Sequence, residues 1–244
     1  MPPSASEGAG RPNAAFFTAE AAAHYDGWFE TAAGRYARRL EDELLREAVG
    51  DVRGRRVLDV GCGTGLHLRL FAEGGAAGVG LEPSGEMLQR ARERLAGGAY
   101  LVRGRAEALP FRNGAFDVVT MITSLEFVAD ARAALAEASR VCRRRVVVAA
   151  LNGLSLSAAW RKIKRNVKAT LFRAVRFYEP RELRRALRPY AAGPVCVAST
   201  LHLFPIYHAG LDGALASLDR WLTRRGWLLG AFLVAAADVR RARI

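Results

Sequence analysis

Cysteine is scarce in this chain. Cys62, Cys142 and Cys196 are the only three, and none stands in a Cys-x-x-Cys pair with histidines nearby. That spacing argues against a zinc site, so we expect no metal, and an unpaired set of this kind fits a reducing, cytoplasmic location. Long apolar runs are missing as well: no stretch of 18 uninterrupted apolar residues occurs, which excludes a membrane-spanning helix. The opening Met-Pro-Pro-Ser-Ala-Ser-Glu-Gly-Ala-Gly lacks the basic start and apolar core of a secretory signal. No internal repeat of fixed period appears, which sets repeat architectures aside. Acidic residues are outnumbered, 24 against 37 basic ones, for a net charge of +13. Such a balance admits a nucleic-acid or anionic-membrane partner. Lysine, however, is rare among the basic residues, and a composition rich in Ala, Gly and Arg is what GC-rich coding produces without any such partner.

What is present is apolar residue throughout, 51% of a 244-residue chain, which suits one folded α/β domain. Residues 1–12 are Pro, Gly, Ser and Ala without periodicity and read as a disordered tail. From Asn13 to Val49 two helical patterns follow, the second carrying Tyr36, Leu40, Leu44, Leu45 and Ala48 at helical spacing. A repeating order of strand, turn and helix begins at Arg56. The expected strands are 56–60, one ending at Glu82, 100–103, 116–122 and 145–151; the helices between them are 66–73, one from Ser84 with that serine as N-cap, and 130–141. Five strands alternating with helices imply right-handed crossovers and a parallel sheet. Beyond Leu151 the alternation stops: a basic stretch, Trp160–Arg176, precedes a short helix at 179–187 and two further strand candidates, Val195–Phe204 and Leu228–Val239, with a helix Leu211–Arg224 between them.

The chemistry concentrates at Val57-Leu-Asp-Val-Gly-Cys-Gly-Thr-Gly65. A strand that ends in a G-x-G-x-G turn leaves no Cβ where a ligand must touch backbone, and the following helix start aims free N–H groups at it. Glu82, about 20 residues on at the end of the next strand, is placed to accept hydrogen bonds from two ribose hydroxyls. Turn and acid together point to an adenosine-bearing ligand. A dinucleotide site would show G-x-G-x-x-G, and Asp59 just before the turn suits an amino group and opposes a phosphate.

Val57–Gly65 resembles the first motif of the class I S-adenosylmethionine-dependent methyltransferases. The order behind it is similar too: Gly78-Val-Gly-Leu-Glu-Pro-Ser84 resembles the segment bearing the ribose-binding acid, Arg103–Phe111 the adenine-binding segment, and Phe116-Asp-Val-Val119 the fourth strand. The likeness spans roughly residues 54–151 and is closest to the small-molecule branch that includes ubiquinone and menaquinone biosynthesis methyltransferases. It implies a Rossmann-like seven-stranded, mostly parallel sheet with the last strand antiparallel, helices on both faces and an N-terminal helical cap. One domain, 13–244, would then comprise the cap (13–50), the cofactor-binding half (54–151) and an acceptor-side lid with the last strands (152–244).

For cofactor binding the resemblance implies Asp59, Gly61, Cys62, Gly63 and Gly65 at the turn, and Glu82, Pro83 and Met87 after the second strand. Ala106 and Glu107 would address the adenine, with Leu81, Leu109 and Ile122 as an apolar wall. Ala23-His-Tyr-Asp-Gly-Trp-Phe29 resembles a segment that closes over the cofactor, so that Tyr25 would reach the methionine carboxylate. Arg105 departs from the pattern, standing where an Asp is common, so the adenine amino group would need another acceptor. The methyl of a sulfonium is already activated, and positioning can supply about 7–11 kcal/mol of the barrier. A base is needed only where the acceptor must lose a proton.

Glu126 and His208 are the catalytic candidates, with His24 and His202 behind them. Glu126 follows the carboxyl end of the fourth strand, where ligands meet open α/β sheets, though a helix-start acid is the plain alternative. His202 alternates with apolar neighbours and reads as structural, His208 lies in a loop, and His67 is expected to pack on its helix. Arsenite methylation would need gathered thiolates, which these cysteines do not offer. The expected acceptor is a small molecule. An RNA-directed or polyanion-binding protein using the basic segment 161–176 is one alternative, although residues 120–125 read Thr-Met-Ile-Thr-Ser-Leu rather than Asn/Asp-Pro-Pro-Tyr. A non-catalytic S-adenosylmethionine-binding protein is another. The stripe of Trp160, Ile163, Val167, Leu171 and Phe172 makes the segment 152–177 an amphipathic lid, or else a helix resting on an anionic membrane.

Overall fold

A computed structural model of the chain describes residues 17–158 and 176–239. The expected tail and most of the basic lid segment lie outside the described residues. Two helices, α1 (Ala19–Glu30) and α2 (Ala32–Val49), precede β1 (Arg56–Val60), α3 (Leu66–Glu73), β2 (Ala77–Glu82), α4 (Gly85–Leu95), β3 (Ala99–Arg103), β4 (Phe116–Ile122), α5 (Ala131–Val141) and β5 (Cys142–Leu151). The chain then forms α6 (Pro180–Leu187), β6 (Cys196–Thr200), α7 (Asp212–Arg224) and β7 (Phe232–Asp238).

The seven strands run in the order β3-β2-β1-β4-β5-β7-β6. All neighbouring pairs are parallel except those of β7, which is antiparallel to both β5 and β6. Period-two alternation divides the strand residues between two cores. Leu58, Val60, Val119, Met121, Val146 and Val148 face one side and pack with Leu135 of α5 and Leu183 of α6. Val57, Val118, Ile122, Val147 and Val234 face the other and meet Tyr36, Leu40 and Leu45 of α2 and Phe71 of α3. Covered on both faces, β1 and β4 can be apolar almost throughout. The chain winds outward from β1 in one direction and from β4 in the other, so their carboxyl ends open a crevice at the switch point.

Caps explain the helix starts. The Ser84 hydroxyl accepts from Met87 N at 3.2 Å, and Asp130 Oδ1 accepts from the amides of Arg132 and Ala133 at 2.8 and 3.0 Å. Asp117, at the start of β4, is structural: it accepts from Arg56 N at 2.9 Å and pairs with Arg143 at 2.9 Å. The last two strands are shorter than the sequence pattern suggests. Pairing of β6 with β7 ends at Thr200↔Phe232, after which Leu201 takes a φ of +66° and leads the chain out of the sheet. On the other strand, the carbonyls of Leu228 and Gly230 accept from the Asn152 side chain at 2.9 and 2.7 Å instead of joining a ladder.

Candidate functional site

The glycine turn between β1 and α3 lies at the carboxyl edge of the sheet. Gly61 has a φ of +74°, and a Cβ there would meet the Ser124 Cβ at 2.5 Å, so the β1 and β4 edges close only around glycine. Gly63, at φ +54°, faces open space, with no protein atom within 4 Å of an added Cβ. Across the turn, Glu82 accepts from Gly63 N through Oε2 at 3.1 Å and from Ser84 N through Oε1 at 3.0 Å. Burial raises its carboxyl above the ordinary range while those two amides pull it back.

A cavity of about 510 Å³ opens above this turn. It is lined at one end by Gly61, Cys62, Gly63, Leu81, Glu82, Pro83, Met87, Ala106, Glu107 and Ile122, the positions expected to hold the nucleoside. Tyr25 lines it too, half-buried, its hydroxyl pushed upward by burial. Glu107 accepts from Ala129 N at 2.8 Å, and Arg105 reaches the same oxygen at 3.4 Å with its own side chain 62% exposed.

Three expected residues stand elsewhere. Asp59 is buried behind the turn rather than on the cavity wall, where Thr120 donates to it at 2.8 Å; burial raises its carboxyl to about 7. Gly65 serves as the left-handed N-cap of α3, and Leu109 packs in the core. His208 is a correction: it is exposed, accepts from Gly210 N at 3.3 Å to start a short 3-10 turn, and lines no part of the cavity. His202 is buried, as expected, but off the end of β6. Its Nδ1 is 3.2 Å from Asp219 Oδ1 and its Nε2 is 3.2 Å from Ser199 Oγ. This resembles a serine–histidine–aspartate relay, yet Ser199 is fully buried and bonds Trp227 O and Gly230 N, so the set joins β6, α7 and the 227–230 loop.

Helix α1 is fastened over the turn. Thr64 Oγ1 donates to Asp26 at 2.7 Å, and Arg94 and Arg90 of α4 pair with the same carboxylate at 2.9 and 3.5 Å. Arg94 also donates to the Thr64 carbonyl. Ser84 Oγ donates to Phe17 O at 2.8 Å, and the Phe17 ring stands edge-on to Phe127 at 5.1 Å. These ties carry His24, Tyr25, Trp28 and Phe29 to the cavity wall.

Beyond the turn, Glu126 also lines the cavity. It is 1% exposed, its Oε1 accepts from Leu151 N at 2.8 Å, and its Oε2 has no partner; burial raises the carboxyl to about 7. Sequence reasoning missed Glu41, which lines the same space and is likewise raised to about 7 by burial against the pull of Arg38. Its signal was an acid inside the apolar stripe of α2, between Leu40 and Leu44. His67 also lines the cavity, buried with Nε2 unpartnered, and burial lowers it to about 3, so it is neutral.

Fold and turn together define a Rossmann-like domain with its cavity at the switch point. Residues 58–150 match the family model described as a methyltransferase domain. Over 135 residues the chain is 36% identical to the malonyl-[acyl-carrier protein] O-methyltransferase of Erwinia pyrifoliae, covering 53% of this chain and 51% of that one. It is 40% identical over 100 residues to the demethylmenaquinone methyltransferase of Renibacterium salmoninarum, covering 41% and 42%. The chain thus spans about half the length of these curated relatives. Among solved structures, a SAM-dependent methyltransferase of Thermotoga maritima, described as a possible histamine N-methyltransferase, superposes with a TM-score of 0.71 at 24% identity, over 93% of this chain and 100% of that one. The magnesium protoporphyrin IX methyltransferase of Synechocystis, solved with S-adenosylhomocysteine (SAH), superposes at 0.58 with 17% identity, covering 86% of each chain. These two likenesses concern the fold.

Proposed function

We propose that this protein transfers a methyl group from S-adenosylmethionine to a small-molecule acceptor. The observation that carries the reading is the pairing of Gly63 with Glu82 at the mouth of a 510 Å³ cavity. Gly63 leaves open space where the nucleoside must touch backbone, and each Glu82 oxygen keeps a lone pair beyond its one amide bond. Such a cradle suits the adenosine part of the donor. Glu82 takes the ribose hydroxyls, Ala106 and Glu107 the adenine edge, and Leu81, Met87 and Ile122 its faces. Tyr25 reaches the methionine end, near the glycine turn of Gly61, Cys62 and Gly63. Pro83 shapes the wall, while Asp59 and Gly65 act from behind it by fixing the strand end and the start of α3.

When bound, the donor supplies a methyl group on a positively charged sulfur. The protein's part is to exclude water with α1, to orient the acceptor and to take up any proton it releases. In this reading residues 13–50 cap the site, 54–151 hold the donor and 152–244 face the acceptor. None of the described helices is long and apolar enough to cross a membrane. Titration calorimetry with SAH tests the core of the proposal: native protein should bind it, and Glu82→Ala should weaken binding at least tenfold, as loss of two bonds to a charged group at about 1.5–3 kcal/mol each requires. Equal affinity of the two proteins would remove the donor from this cradle.

A further inference from the structure

The side of the cavity formed by α1 has its own chemistry. Aromatic side chains form a continuous wall there: Tyr25 and Phe29 stand 5.2 Å apart, Trp28 and Phe29 4.6 Å, and Trp28 and Phe204 6.3 Å, all four lining the cavity. Glu126, with its unpartnered Oε2, lines the same cavity. Of the other carboxylates lining the cavity, Glu82 accepts a backbone amide on each oxygen, Glu107 accepts an amide and pairs with Arg105, and Glu41 has Arg38 beside it. Glu126 forms no ion pair with any described residue. A buried carboxylate with an unpartnered oxygen and no counter-charge is costly, and the cost is relieved by a ligand that brings a donor and a positive charge. Arginine enters the described lining only as Arg105, largely exposed at the nucleoside end, and lysine not at all.

We infer that the acceptor is a small apolar amine, which enters as an ammonium ion, donates to Oε2 of Glu126 and lies against the wall of Trp28, Phe29 and Phe204. Aromatic faces beside a carboxylate are the chemistry that recognises such cations. This inference rests on the methyltransferase reading and deepens it. Glu126 takes one proton from the ammonium, which frees the nitrogen lone pair. That pair forms the new N–C bond as the C–S bond breaks, and sulfur keeps the electrons of the broken bond. The methylated amine carries the positive charge that sulfur has lost, and the proton on Glu126 passes to water. Burial lifts the Glu126 carboxyl to about 7, close to neutrality, which suits it to take up and release that proton.

The test uses the full chain loaded with SAH and three matched probes: 2-phenylethylamine, 2-phenylethanol and 3-phenylpropionate. Calorimetry should show the amine binding at least tenfold tighter than the alcohol, and the carboxylate weakest. Glu126→Gln, which keeps the shape and an acceptor for Leu151 N, should abolish the amine preference while SAH affinity stays within twofold of native. Trp28→Ala should weaken the amine more than the alcohol. With S-adenosylmethionine in place of SAH, mass spectrometry should find an N-methylated amine. The inference is overturned if the alcohol or carboxylate binds as well as the amine, if no probe binds the SAH-loaded protein, if the preference survives in Glu126→Gln, or if that variant loses SAH. Failure of the native protein to bind SAH would instead overturn the donor reading on which it rests.

Discussion

Gly63 donates its amide to Oε2 of Glu82 across 3.1 Å, so the turn after the first strand and the acid ending the second are one hydrogen-bonded unit before any ligand arrives. The preformed unit lets fold and binding be separated at two glycines. Gly61→Ala forces a Cβ to within 2.5 Å of Ser124 in a left-handed conformation. It should lower unfolding stability by about 2–4 kcal/mol and also lose SAH. Gly63→Ala should cost only the left-handed term, about 1–2 kcal/mol, yet lose SAH as fully, because its Cβ occupies open space at the cavity. Urea unfolding and calorimetry on both variants check this; tight SAH binding by Gly63→Ala would contradict it.

Asp26 holds α1 to the turn through Thr64 and to α4 through Arg90 and Arg94. Partly exposed pairs are worth only about 0.2–1 kcal/mol each, so Asp26→Asn should barely move global stability. It should nonetheless speed amide exchange across residues 19–30 and weaken SAH several-fold, since the helix carries Tyr25 to the cavity. Unchanged exchange in α1 would show that the apolar contacts alone hold it.

Glu126 gives a pH signature. In the unfolded chain its carboxyl ionises near 4.5, in the folded protein near 7. As pH rises between those values the unfolded state sheds its proton first, so stability falls from about pH 4.5 to 7 and is level above. Glu126→Gln removes this contribution, and its stability relative to native protein should rise on the order of 2–3 kcal/mol between pH 4.5 and 8. Urea unfolding of both proteins at the two pH values measures it, and an equal difference at both would refute it.

Asp219 accepts from the amides of Leu201 and Leu203, the hydroxyl of Thr200 and His202. Burial alone would raise its carboxyl, yet these donors hold it below the ordinary value. Asp219→Ala leaves them buried without an acceptor and should cost about 3–5 kcal/mol in urea unfolding. Because Ser199 is fully buried, a serine-reactive fluorophosphonate should leave its mass unchanged in native protein. A labelled Ser199 would make the relay more than structural.

The sequence by itself determined the sheet, the glycine turn and the place of Glu82 beside it. All three depend on local rules: apolar runs set β1, β4 and β5, glycines mark the turn whose φ values no other residue adopts cheaply, and Glu82 follows at a spacing fixed by one strand–helix–strand unit. Only the tertiary structure decided the rest. Glu41 and His67 lie on helical faces that read as core, and nothing local says that a cavity interrupts the packing there. His202 read as a strand histidine and His208 as a loop candidate for catalysis, yet His202 sits past the end of β6 in a buried network and His208 in solvent, because β6 stops pairing at Thr200 and Leu201 turns the chain away. Glu126 became a buried carboxylate with a free oxygen only once Leu151, 25 residues on, came to donate its amide to Oε1. Burial and partnership are properties of distant segments meeting, and short-range patterns carry no record of which segments meet.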